Sequence, residues 1–370
     1  MENFVIPEGL RTWAEIDHSA LRSNLALIRK KIGLAAKILA VVKANAYGHG
    51  AVQTACTLAE DTSIFGVANL DEAREVESAG TGRDIMLLSP CLPGERAEAV
   101  GAGHIVTVSS AAEAEAYARF GKVRVNFKID TGMGRIGCLE TQALLEFQRV
   151  LQIPNTLVHS ISSHLPSADE DVAFTSSQLE RFANLESQLR LLAPQASFHV
   201  LNSAGILTQP IHAREIVRPG LALYGCSSVS EFSPALFPVL SWRARVVQVR
   251  NLPAGATVSY GRTFKAATPI RTAIVPVGYA DGFPRHASGN EARVLIRGKS
   301  CPVIGRVTMD QIVVNASAVP EICDGDITTL LGSDGDETIT ANELAEKSGT
   351  IAWDILTGIG RRVARFHHGT

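Results

Sequence analysis

VVKANAYGHG, residues 41–50, decides how this chain is read. Two valines end an aliphatic run that begins at Ile38, and the run delivers Lys43 to a turn rich in Gly, Asn and Tyr. Lysine is almost never fully buried unless it is paired or reactive. An ammonium at the end of a buried strand therefore needs a partner or a task, and the rest of the chain has to supply it.

Short β-branched runs like 38–43 recur at 64–68 (IFGVA), 84–88 (DIMLL), 104–108 (HIVTV), 123–130 (VRVNFKID), 157–164 (LVHSISSH), 197–201 (SFHVL) and 215–223 (EIVRPGLAL). Segments of helical period, such as DEAREVESAG and SSQLERFANLESQLRLLA, separate most of them. Eight strands, each led on by a helical segment, predict an α/β fold with a (β/α)8 TIM-like barrel over residues 11–230. An open doubly wound sheet is the alternative; the count, and the lack of GxGxxG after the first strand, disfavour it. An earlier helix is expected over 19–32, with Leu21, Leu25, Ile28 and Ile32 on one stripe and Gly33 as its stop. Beyond residue 230 the texture changes to alternating runs broken by Pro/Gly turns: LSWRARVVQVRNL, RTAIVPVGYADGF, ARVLIRGKSCPVIGRV and DQIVVNAS. These predict a mostly β C-terminal domain over 235–370, with one helix near 340–348. RTWAEID, near 11–17, reads as a strand that could join it.

At 370 residues and 46% hydrophobic content, the chain exceeds one ordinary core, in line with two domains. A net charge of −2 without a basic stripe argues against nucleic acid as a partner. The start, MENFVIPEGL, lacks a signal-peptide pattern, and no run is long enough to span a bilayer, so a cytoplasmic protein without a membrane partner is expected. The six cysteines form no CxxC pair, which favours reduced thiols and no metal site. SDGDE at 333–337 lacks calcium-loop spacing and reads as a solvated turn.

Chemistry in such a barrel gathers at the carboxyl ends of the strands. Those ends carry Lys43, Asn69, Arg135 just past Asp130, His164, Asn202, Ser203, Arg218 and Gly220. Singly, each has an ordinary explanation: Lys43 can snorkel, His164 can be a satisfied core histidine, and Arg218 can cap a loop. Together they form a polar, largely cationic rim suited to a phosphate or to a carbonyl that condenses with the lysine. Asn202–Gly205 (NSAG) and Pro219–Leu221 (PGL) follow strands seven and eight, where barrels often hold phosphate, and small residues let backbone N–H groups approach an anion. A strand-one lysine with such a cradle suggests pyridoxal phosphate bound at Lys43; the same glycines and Arg218 argue against a cofactor-free aldolase.

At this point VVKANAYGHG resembles the cofactor-lysine signature of alanine racemases. KIDTGMGRIG, SSHLPSADE, NSAG, VRPGLALYG, SYGRTF, GYADGFPR and GRVTMDQ are similar to their family counterparts, in the same order and across essentially the whole chain. The resemblance implies an isomerase that interconverts L- and D-alanine with pyridoxal 5'-phosphate, supplying D-alanine for peptidoglycan. It implies that Lys43 holds the cofactor and acts as one base. Tyr260, from the partner in a head-to-tail homodimer with shared sites, would be the second. Tyr47, Asn202, Ser203, Gly220 and Leu221 would hold the phosphate, Arg218 would donate to the pyridine nitrogen, and His164 would stand behind it. Arg135 would reach the phenolic oxygen and the substrate carboxylate. Met309 and Asp310 would touch substrate; Asp169, Tyr279, Arg285 and Arg306 would line the access channel. Lys128 matches a lysine that is carbamylated in many members. A free phenol has a pKa of about 10, so Tyr260 needs the cations of Arg218, Arg135 and His164 to become a useful base. Trp353 stands where the family usually has a phosphate-binding tyrosine; an indole donates but cannot accept, and it is larger. The alternatives are a racemase of broader range that takes serine as well, and a non-catalytic cofactor-binding protein, which would need neither Tyr260 nor the β domain.

Overall fold

The computed structural model describes residues 6–210, 216–289 and 291–369. β1 (Thr12–Asp17) runs straight into α1 (His18–Ile32). Asp17 makes the change of direction, its Oδ1 accepting from Ser19 N (2.8 Å) and Ala20 N (3.1 Å) at the open helix end. Leu21, Leu25, Ile28 and Ile32 are buried on one face, and Gly33 ends the helix at φ 73°.

Eight short strands follow: β2 (Lys37–Val41), β3 (Ile64–Val67), β4 (Asp84–Leu87), β5 (Ile105–Val108), β6 (Val123–Asp130), β7 (Thr156–Ser162), β8 (Ser197–His199) and β9 (Ile216–Val217). They pair in parallel, in the order β9-β2-β3-β4-β5-β6-β7-β8. A single bridge between Asn202 and Arg218 brings the two edges together, so the barrel is nearly closed. The last strand is shorter than the sequence suggests. Glu215 lies outside the described residues, and Leu221–Tyr224 is a 3₁₀ turn. Pro219 has no N–H for the ladder, although its carbonyl still accepts from Val41 N (3.0 Å).

The second unit is built on β10 (Leu240–Arg245), β11 (Gln248–Leu252), β12 (Thr257–Val258), β13 (Phe264–Lys265), β14 (Ile270–Val275), β15 (Arg293–Ile296), β16 (Lys299–Ile304), β17 (Ile312–Asn315), β18 (Ile327–Asp334), β19 (Glu337–Ile339) and β20 (Ala364–His368). Its main sheet has the order β11-β14-β17-β16-β15-β18-β10-β1-β20, while β12 and β13 form a separate hairpin. β1 therefore precedes the barrel in sequence but belongs to the second sheet, with Trp13 opposite Arg243 on one side and Ala364 on the other. SDGDE is the tight turn between β18 and β19. Ala341–Ser348 is helical, as the sequence indicates; Ala352–Gly358 is a second helix that the sequence reading did not separate.

The C-terminal unit grips the barrel at the turn after β2. A Cβ on Gly48 (φ +86°) would lie 2.3 Å from the Leu356 carbonyl oxygen, and Arg365 Nε donates to Gly48 O at 3.2 Å. A second contact joins α1 to β20. Thr57 Oγ1 donates to Gln53 O (3.0 Å) and so accepts from His18 Nδ1 (2.5 Å), leaving His18 Nε2 to accept from His367 Nδ1 (2.9 Å).

Gly48→Ala should lower stability by ~2 kcal/mol or more in chemical unfolding, because the methyl group clashes and the dihedral is strained; an unchanged midpoint would show that the helix is not anchored there. Burial, then the neighbouring His367, holds the His18 pKa at about 4 against the usual 6.5. A group whose folded pKa is depressed binds fewer protons folded than unfolded, so folding should weaken as pH falls from about 6.5 to about 4. The acid drop in melting temperature should be smaller in His18→Gln than in the wild type.

Candidate active site

Beyond β2 the backbone turns left-handed: Ala44, Asn45, Ala46 and Tyr47 have φ between 51° and 53°. Each such non-glycine residue costs roughly 1–2 kcal/mol, so the turn needs outside support. Glu72 supplies some of it: its Oε1 accepts from Ala44 N (2.8 Å) and its Oε2 from Ala68 N (2.7 Å), tying the ends of β2 and β3 together. Asn45 Oδ1 accepts from Ala51 N at 2.9 Å, fixing the start of the next helix, Ala51–Leu58. Lys43 emerges half-buried. Burial, then the Arg135 charge, lowers its pKa, with Glu72 opposing. An amine so placed deprotonates more readily than free lysine, which suits a nucleophile or base.

Tyr47 is buried against Gly220: a Cβ there would lie 2.7 Å from the Tyr47 hydroxyl. Burial pushes the phenol up to about 12, so it remains a donor. Ser203 Oγ accepts from Gly220 N (2.9 Å) and Ala222 N (3.2 Å). Tyr47, Ser203 and Gly220 thus meet at one spot. Leu221 beside them has a core side chain (2% exposed), so only its main chain is on offer to a ligand. Asn202 serves the fold: Oδ1 caps the Ser203–Thr208 helix through Gly205 N (2.9 Å), and Nδ2 donates to Leu165 O (3.1 Å). Asn69 likewise caps the helix Leu70–Glu77, through Glu72 N (3.0 Å).

Arg218 is buried, and its guanidinium donates to His199 Nδ1 (2.7 Å), Ser163 O (2.8 Å), His164 Nδ1 (3.1 Å) and Val200 O (3.2 Å). Burial brings its pKa down to about 10, which leaves it charged at neutral pH. Burial, then Arg218, Lys128, Arg135 and Lys43, drives His164 down to about 2. His164 is therefore a neutral acceptor, and the cationic rim expected from the sequence loses one member. Lys128, part-buried on β6, is also pushed far below its usual pKa by burial and then by Arg218 and Arg135, with Asp130 opposing. Arg135 is exposed on the turn beyond β6, which Asp130 Oδ1 shapes by accepting from Gly132 N (2.9 Å) and Met133 N (2.8 Å).

The sequence reading missed His199, whose signal was a polar residue inside the apolar run SFHVL. An arginine only donates, so His199 Nδ1 must accept, and its proton is on Nε2. Nε2–H then donates to Ser160 Oγ (3.1 Å), Ser160 to Asn126 Oδ1 (3.1 Å), Asn126 Nδ2 to Thr107 Oγ1 (3.1 Å), and Thr107 to Leu87 O (2.7 Å). The relay has a single direction across five barrel strands, from β8 to β4.

The remaining candidates lie on the β domain and on loops. Tyr260 is 72% exposed in a 3₁₀ turn between β12 and β13. That turn is braced by Ser259 Oγ donating to Arg306 O (2.6 Å), and Gly261 faces the Arg306 guanidinium. Tyr279 and Met309 are exposed on loops joined by Tyr279 N donating to Thr308 O (3.1 Å) and Ala280 N to Met309 O (3.0 Å). Asp310 pairs with Arg362 (2.8 Å), which also reaches the buried Asp281 (3.1 Å). Arg285 and Arg306 share a cavity of ≈ 390 Å³ with His286 and Ser288; Asp169 and Tyr279 are not in its lining. Trp353 is part-buried against the core, on the helix that receives Gly48.

A lysine of lowered pKa and a buried guanidinium on one rim, in a barrel carrying a β domain, define the class of lysine-centred barrel enzymes. Comparison with known proteins narrows it. The model for the alanine racemase N-terminal domain matches residues 16–228, and that for the alanine racemase C-terminal domain matches 239–367. An alanine racemase of Methylacidiphilum infernorum is 38% identical over 365 residues, covering 97% of this chain and 93% of that protein. The alanine racemase structure from Clostridium difficile 630 superposes with TM-score 0.91 at 30% identity, covering 97% of this chain and 96% of that one. The Bacillus anthracis alanine racemase with bound L-Ala-P gives 0.89 at 33%, covering 99% and 97%. The chain belongs to the alanine racemase family and is an isomerase.

Nitrogen NMR should find His199 protonated at Nε2 and bare at Nδ1. Asn126→Leu removes the acceptor that orients Ser160 but leaves the Arg218 donor at Nδ1, so the Nε2–H tautomer should persist; a switch to Nδ1–H would show that the relay, and not Arg218, sets it.

Proposed function

We propose that this enzyme interconverts L- and D-alanine, with pyridoxal 5'-phosphate held covalently by Lys43, in a head-to-tail homodimer. The residues fit that group. Tyr47, Ser203 and Gly220 form a cradle that a Cβ on Gly220 would fill. Arg218 can donate to a ring nitrogen but gives up no proton to it. The bound cofactor supplies an electron sink that acidifies the α-C–H of an amino acid.

The remaining chemistry belongs to the chain. The Lys43 amine removes or returns the α-proton on one face of the substrate, and the Tyr260 phenol of a second copy serves the other. Arg135 binds the substrate carboxylate, with Met309 and Asp310 beside it. Asp169, Tyr279, Arg285 and Arg306 line the approach. Carbamylation of Lys128 would give Arg135 an anionic partner, and an amine with so low a pKa is reactive toward carbon dioxide. Residues 18–230 act as one functional unit, and residues 235–370 together with β1 as the other. No helix among the described residues is long and apolar enough to cross a membrane, in keeping with cytoplasmic supply of D-alanine for peptidoglycan.

The observation that carries the dimer reading is Tyr260, a large aromatic 72% exposed on a braced turn, with no hydrogen-bond partner among the described residues. Lys43→Ala and Tyr260→Phe should each lower racemisation by about 10²-fold or more. Mixing the two inactive variants should restore about a quarter of wild-type activity, since half the dimers are hybrids and each hybrid has one intact shared site. No recovery in proven hybrids would assign Tyr260 to its own subunit's site. L-serine assayed beside L-alanine tests the broader range, which one methylene or hydroxyl controls weakly.

A further inference from the structure

The segment that carries Lys43 also carries, one residue before its end, a histidine with no role so far. His49 is fully buried. Its Nδ1 lies 3.0 Å from Ala46 O and 2.9 Å from Tyr47 O, both carbonyls of the left-handed turn. Carbonyls only accept, so the imidazole proton is on Nδ1. Nε2 is then a buried lone pair, and it has no hydrogen-bond partner. Burial keeps the ring neutral. The side chain thus gives up one polar contact to hold two carbonyls of a disfavoured backbone. Its ring also stacks on Tyr224 (4.6 Å between centroids), which in turn stacks with Tyr47 (4.9 Å). Tyr224 is itself pinned, its hydroxyl donating to Val41 O at 2.9 Å. Imidazole, phenol and phenol form a stack beneath the turn, anchored to the end of β2.

We propose that His49 is a positioning residue: through its Nδ1–H it holds the Ala44–Tyr47 turn in the left-handed form that presents Lys43 and Tyr47 together to the cofactor. The role rests on the pyridoxal phosphate reading above and adds to it a residue that touches neither cofactor nor substrate.

Three variants separate hydrogen bonding from packing. In His49→Asn, Nδ2 takes the place of Nδ1; in His49→Gln the donor lies further out; His49→Phe keeps the ring and loses the donor. The readouts are the rate of pyridoxal phosphate loss from the purified holoenzyme, followed by absorbance, and thermal unfolding of the same proteins stripped of cofactor. Asn should retain the cofactor nearly as the wild type does, while Gln and Phe lose it at least about tenfold faster, the scale expected when a binding group is displaced by about an ångström. Cofactor loss from Phe at the wild-type rate would overturn the proposal, as would equal losses from all three that merely follow their unfolding temperatures. Nitrogen NMR of the wild type gives a test independent of folding in the variants: Nδ1–H supports the role, Nε2–H excludes it. Should the wild type bind no pyridoxal phosphate, the cofactor reading fails, and the NMR result with proteolysis at the turn still decides whether His49 holds it.

Discussion

One buried cation governs the protonation of its surroundings. Arg218 cannot lose its charge at neutral pH, and it is surrounded by groups that could compete for a proton. Each responds in the direction electrostatics requires: His164, His199 and Lys128 are all driven downward, with Arg218 among the causes after burial. Two imidazoles become acceptors, and the barrel interior answers with a one-way relay that ends on the Leu87 carbonyl. A buried charge is tolerable when it is hydrogen-bonded, and here each of these guanidinium contacts, one from Nη1 and three from Nη2, is to a carbonyl or a bare imidazole nitrogen.

The same logic of mutual support joins the two halves of the chain. The left-handed turn that carries Lys43 is a strained element, and strain at functional sites persists only where the surroundings over-determine it. Glu72 holds the turn from the barrel, Tyr224 and His49 from beneath, and the Leu356 carbonyl closes over Gly48 from the β domain. The β domain is thus part of the machinery that shapes the barrel's lysine, besides presenting Tyr260.

Periodicity made most of the architecture legible. Seven barrel strands and the change of texture near residue 230 follow from alternation and helical spacing alone. The eighth strand was overextended because β-branched residues around Pro219 read as strand, while the missing N–H ends the ladder there. The helix Ala352–Gly358 was hidden because WDIL lies in a run too short to show a period. The candidate site residues at strand ends, Lys43, His164, Ser203 and Arg218, could be picked out because barrel topology says where to look. Asn69 and Asn202 satisfied the same positional rule but are helix caps. Ser160 and Asn126 could not be read, since their partners are remote in sequence and their roles arise only once the strands are side by side; His199 left only the trace of a polar residue in SFHVL.

The position of β1 has a consequence for how the molecule is made. TWAEID is an interior strand of the second sheet, flanked by β10 and β20, yet it is synthesised first. Both partners appear only after the whole barrel, Arg243 opposite Trp13 and then Ala364. During translation the nascent chain therefore carries a strand with two open edges until β10 emerges, and with one until β20 does, a known hazard for wrongful pairing. The barrel can assemble meanwhile, so maturation is ordered: the last strand to emerge, β20, completes a sheet begun with the first.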